Sequence, residues 1–593
     1  MHGAVHHPQL TSPPGRLQSL RLREGGLEIS TDRMPPFLLE ANAALQAGQQ
    51  ARATALLGDA NVAVVERIIQ EQPCRTDLMY ILAKLLRDTG QADRAEPWLK
   101  RLLEYEPHPV AYNDLGHIVE KTWARLTEAT ACFRRAVDLD PDCPEYWMDL
   151  GTSLIRTGRL EEGLAWLDRA VQKRPDHPVI RPIWVWNQHY RLDDRRFFFD
   201  QYRWLARIQY PGNRARQGHA NVPDPDRRLR VGFLSPDFRY SPPAAVLDLV
   251  LDGLPRDRLE VYGYGNVPRP DAVTGRLAGK VEVYRPVHGM DDLAVVRRIE
   301  EDRIDILVEV GGFCQDHRVG LLAYQPAPIQ VDLGGLSTLG LDSVEYRITD
   351  SILDPPDSQP YYGERLTYLA GGADCFCPPQ VSPCVASQPA KANGHVTFGV
   401  FNHPAKITAG MLSCWTEILK AVPDSHLLIK APALTDAGVR QYYRSELARR
   451  GVSPDRVHTH GVMDHYAHLE SLGRVDLALD TYPYNGCMTT LEGLWMGVPT
   501  VSLAGNTFVS REGLSILGRM GLEVFVAASP QEYVAKAVAF AGQVEHLAAI
   551  RASLRDKMLG SVLCDAGRVG REMESAFRQM WRRWCQGRIR EMD

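Results

Sequence analysis

Two patterns of apolar and polar residues divide this chain. From about residue 36 to residue 180 apolar residues recur at helical spacing, whereas after Arg228 short β-branched-rich runs alternate with helix-length segments. The first pattern predicts packed amphipathic helices. The second is typical of α/β domains with a mostly parallel sheet. The sequence therefore predicts a helical N-terminal part followed by an α/β part.

Proline marks a repeat within the helical part. Pro73, Pro107, Pro141 and Pro175 are each 34 residues apart, and each ends a helical segment. That period belongs to the tetratricopeptide repeat. Such arrays stack into a solenoid that usually holds a peptide or a partner protein. A spacer or a dimerisation arm is the alternative, and the repeat ending at Pro73 is irregular enough to be a cap.

The α/β part contains two successive sets of predicted strands. The first begins with LRVGFLSPDF at Leu229 and the second with VTFGVFN at Val396. Two lobes in tandem form a cleft, and parallel sheets bind ligands beyond the carboxyl ends of their strands. The predicted organisation is a poorly ordered tail (1–35), tetratricopeptide repeats (36–180), linker helices (181–228), an N-terminal lobe (229–385), a C-terminal lobe (396–560) and a terminal helix (561–593).

One stretch, from Leu477 to Pro499, predicts an anion site. Its apolar run predicts a buried strand, its Pro, Asn and Gly residues predict a turn, and Thr489 to Glu492 have the spacing of a capping box at the start of a helix. Unpaired N–H groups and the helix dipole favour a phosphate at such a helix N-terminus. A strand–turn–helix unit that binds nothing is the alternative.

Composition excludes several classes of function. The 593 residues are 44% hydrophobic and 24% charged, with a net charge of −5, which argues against a general nucleic-acid surface. No apolar run reaches the roughly 18 residues of a membrane span, and the first residues lack the apolar core of a secretory signal. We expect a soluble, cytoplasmic protein. Cys375, Cys377 and Cys384 lack a fourth ligand at zinc-finger spacing, so no metal site is expected.

Several segments together resemble the SPINDLY / O-linked N-acetylglucosamine transferase family of protein glycosyltransferases. They are LRVGFLSPDF, DILVEVGGF, QPAPIQVDLGG, EYRITDSILDPPD, VTFGVFNHPAKIT, LALDTYPY, TTLEGLWMGVPTVSLAG and VSREG. The resemblance covers about residues 40 to 590. It implies a GT-B fold of two Rossmann-like lobes and inverting transfer of a sugar from a nucleotide donor to Ser or Thr of an acceptor protein. It also implies no metal and no resident cofactor, since the nucleotide sugar is a co-substrate.

The resemblance also assigns roles to individual residues. Lys406 matches the lysine that binds the donor diphosphate, Glu492 the acidic residue that accepts from the ribose hydroxyls, and His468 a histidine near the donor base. The phosphate-binding turn corresponds to Cys487, Met488, Thr489 and Thr490. The alternatives are a surface lysine, a capping glutamate and a surface histidine. Asp237 is the nearest carboxylate by motif to serve as a general base, or it orients its own turn.

The sequence departs from the family around the sugar. Ser241 stands where the family carries a histidine, Gly311-Gly312-Phe313 replaces a Gly-His pair, and Cys487-Met488 replaces His-Thr or Thr-Thr. We expect an active enzyme with a GDP-fucose-like or UDP-N-acetylglucosamine-like donor. The alternatives are a flagellin glycosyltransferase using a cytidine monophosphate nonulosonic acid, a non-catalytic adaptor, and an enzyme acting on a small molecule or lipid. Pocket shape sets the donor sugar, and one chain does not reveal it.

Overall fold

The computed structural model describes residues 22–24, 27–29, 34–210 and 218–587, so most of the predicted N-terminal tail lies outside the described residues. Packing divides the chain into two units. One unit contains the residues up to Ile180 together with Pro432–Tyr442, and the other contains Arg181–Ala431 together with the residues from Tyr443 onward. Each unit is described by itself below.

The first unit is built from antiparallel helix pairs. Its elements are an antiparallel strand pair, β1 (Leu22–Glu24) and β2 (Leu27–Ile29), and the helices α1 (Pro36–Gln46), α2 (Gln50–Leu56), α3 (Asp59–Glu71), α4 (Thr76–Asp88), α5 (Ala92–Tyr105), α6 (Pro109–Val119), α7 (Leu126–Leu139), α8 (Pro144–Arg156) and α9 (Leu160–Lys173). The pairs α4/α5, α6/α7 and α8/α9 follow the 34-residue proline period. This confirms the predicted tetratricopeptide repeats.

Small residues set the spacing within the last repeat. A Cβ added at Gly163 would lie 2.5 Å from the Gly151 carbonyl oxygen, so α8 and α9 approach closely there because neither position carries a side chain. The repeat between Pro107 and Pro141 differs from its neighbours. Its first helix is shorter, and a 3₁₀ turn at Trp123–Arg125 precedes its second helix. This repeat therefore differs from its neighbours mainly in the connection between its two helices.

The second unit begins with two aromatic-rich helices, α10 (Ile180–Gln188) and α11 (Arg195–Gln209). His189, which follows α10, stacks on Phe198 of α11 with ring centroids 3.8 Å apart. Tyr202 of α11 stacks on Phe313 of the following lobe at 5.1 Å. The aromatic residues thus pack these helices against the N-terminal lobe.

The N-terminal lobe contains a seven-stranded parallel sheet with the order β5-β4-β3-β6-β7-β8-β9. The five central strands of this order are almost wholly buried, as expected of a sheet covered on both faces, and the two edge strands are partly exposed. Its elements are β3 (Leu229–Ser235), α12 (Pro242–Gly253), β4 (Leu259–Gly265), α13 (Ala272–Ala278), β5 (Val283–Pro286), α14 (Asp292–Glu301), β6 (Ile306–Val310), β7 (Ile329–Leu333), β8 (Tyr346–Thr349) and β9 (Arg365–Tyr368). The strand order reverses between β3 and β6.

The C-terminal lobe repeats this topology with six parallel strands in the order β12-β11-β10-β13-β14-β15. Its reversal point lies between β10 and β13. The elements are α15 (Pro389–Asn393), β10 (Thr397–Val400), α16 (Ala409–Ala421), β11 (His426–Lys430), α17 (Ala437–Arg449), β12 (Val457–His460), α18 (His465–Leu472), β13 (Leu477–Leu479), α19 (Met488–Trp495), β14 (Thr500–Leu503), α20 (Glu512–Arg519), β15 (Val526–Ala527), α21 (Pro530–Ala541), α22 (Val544–Leu559) and α23 (Ala566–Cys585). Two Rossmann-like lobes confirm the predicted fold class.

The terminal helix α23 belongs to the core of the N-terminal lobe, although it follows the other lobe in sequence. Its buried residues Met573, Phe577 and Trp581 pack in the same apolar cluster as Leu247 of α12. Trp581 also donates from Nε1 to the Asp224 carbonyl at 2.8 Å. Among the residues that the structure describes, no helix is long and apolar enough to cross a membrane.

Candidate functional site

The carboxyl ends of β10 and β13 meet at the reversal point of the C-terminal sheet. Asn402 follows β10 and Asp480 follows β13, and the Asn402 amide donates to the Asp480 carboxylate at 3.0 Å. Asp480 also accepts from the Gly486 N–H at 2.7 Å and from the Ser502 hydroxyl at 2.7 Å. Burial raises the pKa of Asp480, and these donors oppose that shift. The carboxylate thereby fixes the turn between β13 and α19.

Lys406 lies at this turn, in the short 3₁₀ segment after β10. Its ammonium donates to the Asn485 carbonyl at 2.7 Å and lies 3.7 Å from the ring centroid of Tyr484. Tyr190 of the linker stacks on the same ring, with centroids 5.6 Å apart. Burial lowers the pKa of Lys406 to about 8, against the opposing effect of Asp480. The lysine is still mostly charged at pH 7, as its predicted role at a diphosphate requires.

The predicted capping box at the start of α19 is wrong. The helix begins one residue earlier, at Met488, and its N-cap residue makes no side-chain capping bond. Thr489 donates instead to the Asn402 side-chain oxygen, and the buried Thr490 donates to the Gly486 carbonyl, each at 2.7 Å. Both hydroxyls donate to nearby acceptors, the Asn402 side chain and the turn carbonyl, and therefore do not cap the helix.

Backbone donors nevertheless remain unused at the N-terminus of α19. Within the described part of the chain, the backbone N–H groups of Met488 and Thr489 donate to no other residue. Such groups bind anions, and the helix dipole reinforces them. The Lys406 ammonium is held at the turn that precedes this helix by its bond to the Asn485 carbonyl. The predicted roles of Cys487, Met488, Thr489 and Thr490 in phosphate binding stay predictions, with backbone N–H groups as the donors that the geometry offers.

Two histidines bind Glu492 on α19. The Nε2 atoms of His465 and His468 lie 2.8 and 2.9 Å from its two carboxylate oxygens. Burial would raise the pKa of Glu492, but the two histidine hydrogen bonds outweigh it and hold the pKa at about 2. The hydrogen bond between His465 and Glu492 also raises the pKa of His465. The group Glu492, His465 and His468 combines a fixed carboxylate with two flat rings.

The two histidines differ in accessibility. The His468 side chain is 10% exposed and packs edge-on against Phe401 at 5.7 Å between centroids, whereas His465 is 35% exposed. Tyr240 of the N-terminal lobe reaches this point, with its ring centroid 6.4 Å from that of His465. The structure thus places the predicted His468 beside Glu492, and it offers His465 and Tyr240 as more accessible rings for a base.

A second buried group lies behind Lys406. Ligand atoms of Asp374, Cys487 and Glu512 all fall within 4.8 Å of one another. Burial raises the pKa values of Glu512 and Cys487 well above their usual ranges, and burial next to Asp350 raises that of Asp374 to about 6. Such residues can hold a metal ion, but burial disfavours the charged forms of all three, and with the nearby Lys406 ammonium this favours a proton-sharing network.

The N-terminal lobe presents Asp237 and Ser241 just after β3. Asp237 is 6% exposed, and the Ser241 hydroxyl in the same turn donates to the Arg239 carbonyl at 3.3 Å. Burial raises the pKa of Asp237, while Ser241 and Arg239 oppose the shift. Gly311, at φ +110°, allows this approach, because a Cβ there would lie 3.3 Å from Asp237 Oδ2. The serine that replaces the family histidine therefore lies in the same turn as a buried carboxylate.

Sequence reasoning missed five residues that shape the site. They are Asn402, Asp480, Tyr484, His465 and Glu512, which join the site through contacts between distant segments. Only His465 had a local signal: it precedes His468 by three residues, so both lie on one face of α18. Asp464 accepts from the Ala467 N–H at 2.9 Å and caps that helix.

Comparisons with known proteins identify the family that this chain resembles. The model of glycosyl transferase family 41 matches residues 204–375 and 384–573, and tetratricopeptide models match 76–109 and 124–178. Probable UDP-N-acetylglucosamine–peptide N-acetylglucosaminyltransferases named SPINDLY are 38% identical over 372 residues in Solanum lycopersicum and 39% over 369 in Oryza sativa subsp. japonica. These matches cover 62% and 61% of this chain but only 40% of each relative.

A solved structure covers more of the chain. A mutant of the Thermobaculum terrenum O-GlcNAc transferase superposes with a TM-score of 0.80 at 32% identity. The match covers 86% of this chain and 98% of that one. The likeness therefore includes both the helical repeats and the two lobes.

Proposed function

Because the chain belongs to glycosyl transferase family 41, we propose that it transfers a sugar from a nucleotide-sugar donor to a Ser or Thr hydroxyl of an acceptor protein, with inversion. The observation that carries this proposal is the set of groups at one sheet edge. Lys406, the free N–H groups at the start of α19 and the Glu492 carboxylate lie where parallel sheets bind ligands.

The donor diphosphate requires positive charge when it leaves. A nucleoside diphosphate gains negative charge in the transition state, and preorganised donors stabilise that charge. Lys406 supplies an ammonium held by the Asn485 carbonyl and the Tyr484 ring. The N–H groups of Met488 and Thr489 supply further donors. No metal is needed for this step if these groups bind both phosphates.

The nucleoside would bind at Glu492. Its carboxylate has a pKa of about 2 and is ionised at any working pH, so it accepts hydrogen bonds from ribose hydroxyls. The two histidines compete for the same oxygens, and a bound ribose would displace at least one of them. His465 is the more exposed ring and, with Tyr240, offers a flat surface for the base.

The acceptor hydroxyl needs a proton acceptor. Asp237 is buried, its pKa is raised, and its Oδ2 atom has no hydrogen-bond partner among the described residues. A carboxylate with a raised pKa is a better general base near neutral pH. We assign this role to Asp237, and the neighbouring Ser241 hydroxyl donates to the Arg239 carbonyl of the same turn.

Two donor classes deserve the first test. The relatives are named for UDP-N-acetylglucosamine, which supports that donor, and the SPINDLY-like segments support a GDP-fucose-like donor equally. The cytidine monophosphate nonulosonic acid donor and flagellin acceptor remain an alternative from sequence, and none of the relatives reported above is named for them. The tetratricopeptide repeats would hold the acceptor protein and raise its effective concentration. The cytoplasmic location is part of the same proposal.

Donor-dependent thermal stability tests the proposal. Purified protein is unfolded in the presence of UDP-, GDP- and CMP-sugars, each alone. A donor at 100 times its dissociation constant should add about 2.7 kcal/mol to the free energy of unfolding. We expect stabilisation by one nucleotide class, abolished in Lys406→Ala. No stabilisation by any donor in a folded sample would favour the non-catalytic adaptor, in which the repeats bind a partner and the lobes are a scaffold.

A further inference from the structure

A second cavity lies on the C-terminal lobe, against the edge strands of its sheet. It has a volume of about 660 Å³, within the range of small-molecule sites, and it is lined by β10, β11, β12, the segment before β10 and the residues after α18. None of the residues assigned to the donor site lines it. The cavity is therefore a separate feature of this lobe.

Its lining is basic and contains no carboxylate. Arg444, Arg474, His395, His458 and His460 contribute the charged and titratable groups. Hydroxyl and amide groups complete the polar wall, from Ser387, Asn393, Thr397 and Thr459. All of these side chains can donate hydrogen bonds to an anion.

The two arginines lack acidic partners. Arg444 donates only to the Thr459 hydroxyl, at a long 3.5 Å, and neither guanidinium forms an ion pair within the part of the chain that the structure describes. This contrasts with the two arginines at the end of α17, Arg449 and Arg450, which both pair with Glu446. Guanidinium groups that converge on one cavity without a carboxylate favour an anionic ligand.

A row of stacked histidines lies at the cavity wall. His395, His426 and His458 stack in series with centroids 4.0 and 5.0 Å apart, and His426 Nδ1 lies 2.7 Å from His458 Nε2. Burial and the neighbouring cations lower the pKa values of His426 and His460. An anion in the cavity would favour the charged form of His460, which lines it.

The carboxylates that influence these rings do not line the cavity. Asp455 acts on His426, and Asp476 acts on His395. Asp476 is already bound by the N–H groups of Thr397 and Ala390 and by the Gln388 amide, all at 2.8 Å. The positive charge of the wall is therefore not neutralised by the protein itself.

We propose that this cavity is a second binding site, separate from the donor site, for a small molecule that carries a diphosphate or polyphosphate group. Arg444 and Arg474 bind the phosphate oxygens, and the histidines at the wall donate further hydrogen bonds. The proposal does not depend on the transfer reaction. It requires only that the lining residues contact the same anion simultaneously.

Calorimetric titration of the full-length chain with inorganic pyrophosphate tests this site. The titration uses the Lys406→Ala background, which weakens anion binding at the donor site. The test variant is Arg444→Gln/Arg474→Gln. The matched control is Arg297→Gln/Arg449→Gln, which removes the same charge from exposed positions outside the cavity. Thermal unfolding without ligand checks that both double variants fold alike.

We expect pyrophosphate binding at one site per chain, weakened at least tenfold in Arg444→Gln/Arg474→Gln and unchanged in the control. Added salt should weaken it further, since the contacts are ionic. Equal binding by the test and control variants would overturn the proposal. Binding of Zn²⁺ at the histidines in place of pyrophosphate would overturn it as well, because it would identify a cation site.

Discussion

The protonation of Lys406 should control the reaction above neutral pH. Burial lowers the pKa of its ammonium from 10.5 to about 8. Only the charged form offsets the charge of a departing diphosphate, and kcat/KM reports the ionisation of the free enzyme. We therefore expect kcat/KM to be constant from pH 6.5 to about 7.5 and to fall tenfold per pH unit above pH 8.

The same burial predicts that Lys406 destabilises the fold. A pKa of about 8 in place of 10.5 corresponds to about 3 kcal/mol of unfavourable free energy when the ammonium is charged. This cost is fully present below pH 8, declines as the pH rises through 8 and is gone above 10.5. The bond to Asn485 returns about 1 kcal/mol. Lys406→Met should therefore raise the free energy of unfolding by about 2 kcal/mol at pH 7 and by less at pH 10.

Activity should change in the opposite direction. Loss of a transition-state charge contact costs about 2.7–4 kcal/mol, or roughly 10²- to 10³-fold in kcat. Urea unfolding at pH 7 and pH 10 and initial rates of nucleotide release from pH 6 to 9.5 measure both effects. Lys420→Met, at an exposed position of α16, is the control and should change neither. A flat rate profile up to pH 9.5, or destabilisation by Lys406→Met at pH 7, would refute the reasoning.

Three further substitutions test other parts of the site. Glu512→Gln should leave activity and stability nearly unchanged, since burial strongly disfavours the charged form of the Glu512 carboxyl; a loss above tenfold, or a zinc-dependent rate, would identify a carboxylate ligand. Asp237→Asn should lower kcat by 10²- to 10⁴-fold with little change in donor KM, measured by steady-state kinetics; an effect on KM alone would exclude it as the base. Glu492→Gln should raise donor KM more than it lowers kcat, and an unchanged affinity for the product nucleotide by calorimetry would contradict its ribose role.

The pH dependence of stability tests the Glu492 group separately. The pKa of Glu492 is lowered to about 2, so its stabilisation is present above its unfolded pKa near 4.5 and is lost as the pH falls towards 2. The pKa of His465 is raised, so its contribution is present below its unfolded pKa near 6.5 and is lost as the pH rises through the higher folded pKa. Urea unfolding from pH 3 to 8 should show both losses, and Glu492→Gln should remove them. An unchanged profile in that variant would contradict the pairing.

The fold could be predicted because its signals are local and repeated. Four prolines at a 34-residue period defined the helical repeats, and short apolar runs separated by helix-length segments defined two parallel sheets. Each signal depends only on which residues are apolar and where turns occur. The contact of α23 with the core of the N-terminal lobe had no such signal, because an amphipathic helix does not reveal which surface it covers.

The site could be predicted only in part. Motif resemblance predicted Lys406 and Glu492 as donor-site residues, and the structure places Lys406 at the turn before α19 and Glu492 on α19. The capping role of Thr489 failed because Asn402, from a distant segment, accepts its hydroxyl. The partners of Cys487 could not be predicted either, since Asp374 and Glu512 come from separate stretches.

The most direct measurement is sugar transfer itself. Wild-type protein and Lys406→Met are incubated with isotopically labelled UDP-, GDP- or CMP-sugars and a protein extract, and labelled Ser and Thr residues are sought by peptide mass spectrometry. The account predicts labelling from one nucleotide class by wild type and at least a hundredfold less by Lys406→Met. Wild-type protein that binds a donor but transfers no sugar and releases no nucleotide would contradict the central claim that these lobes form a glycosyltransferase.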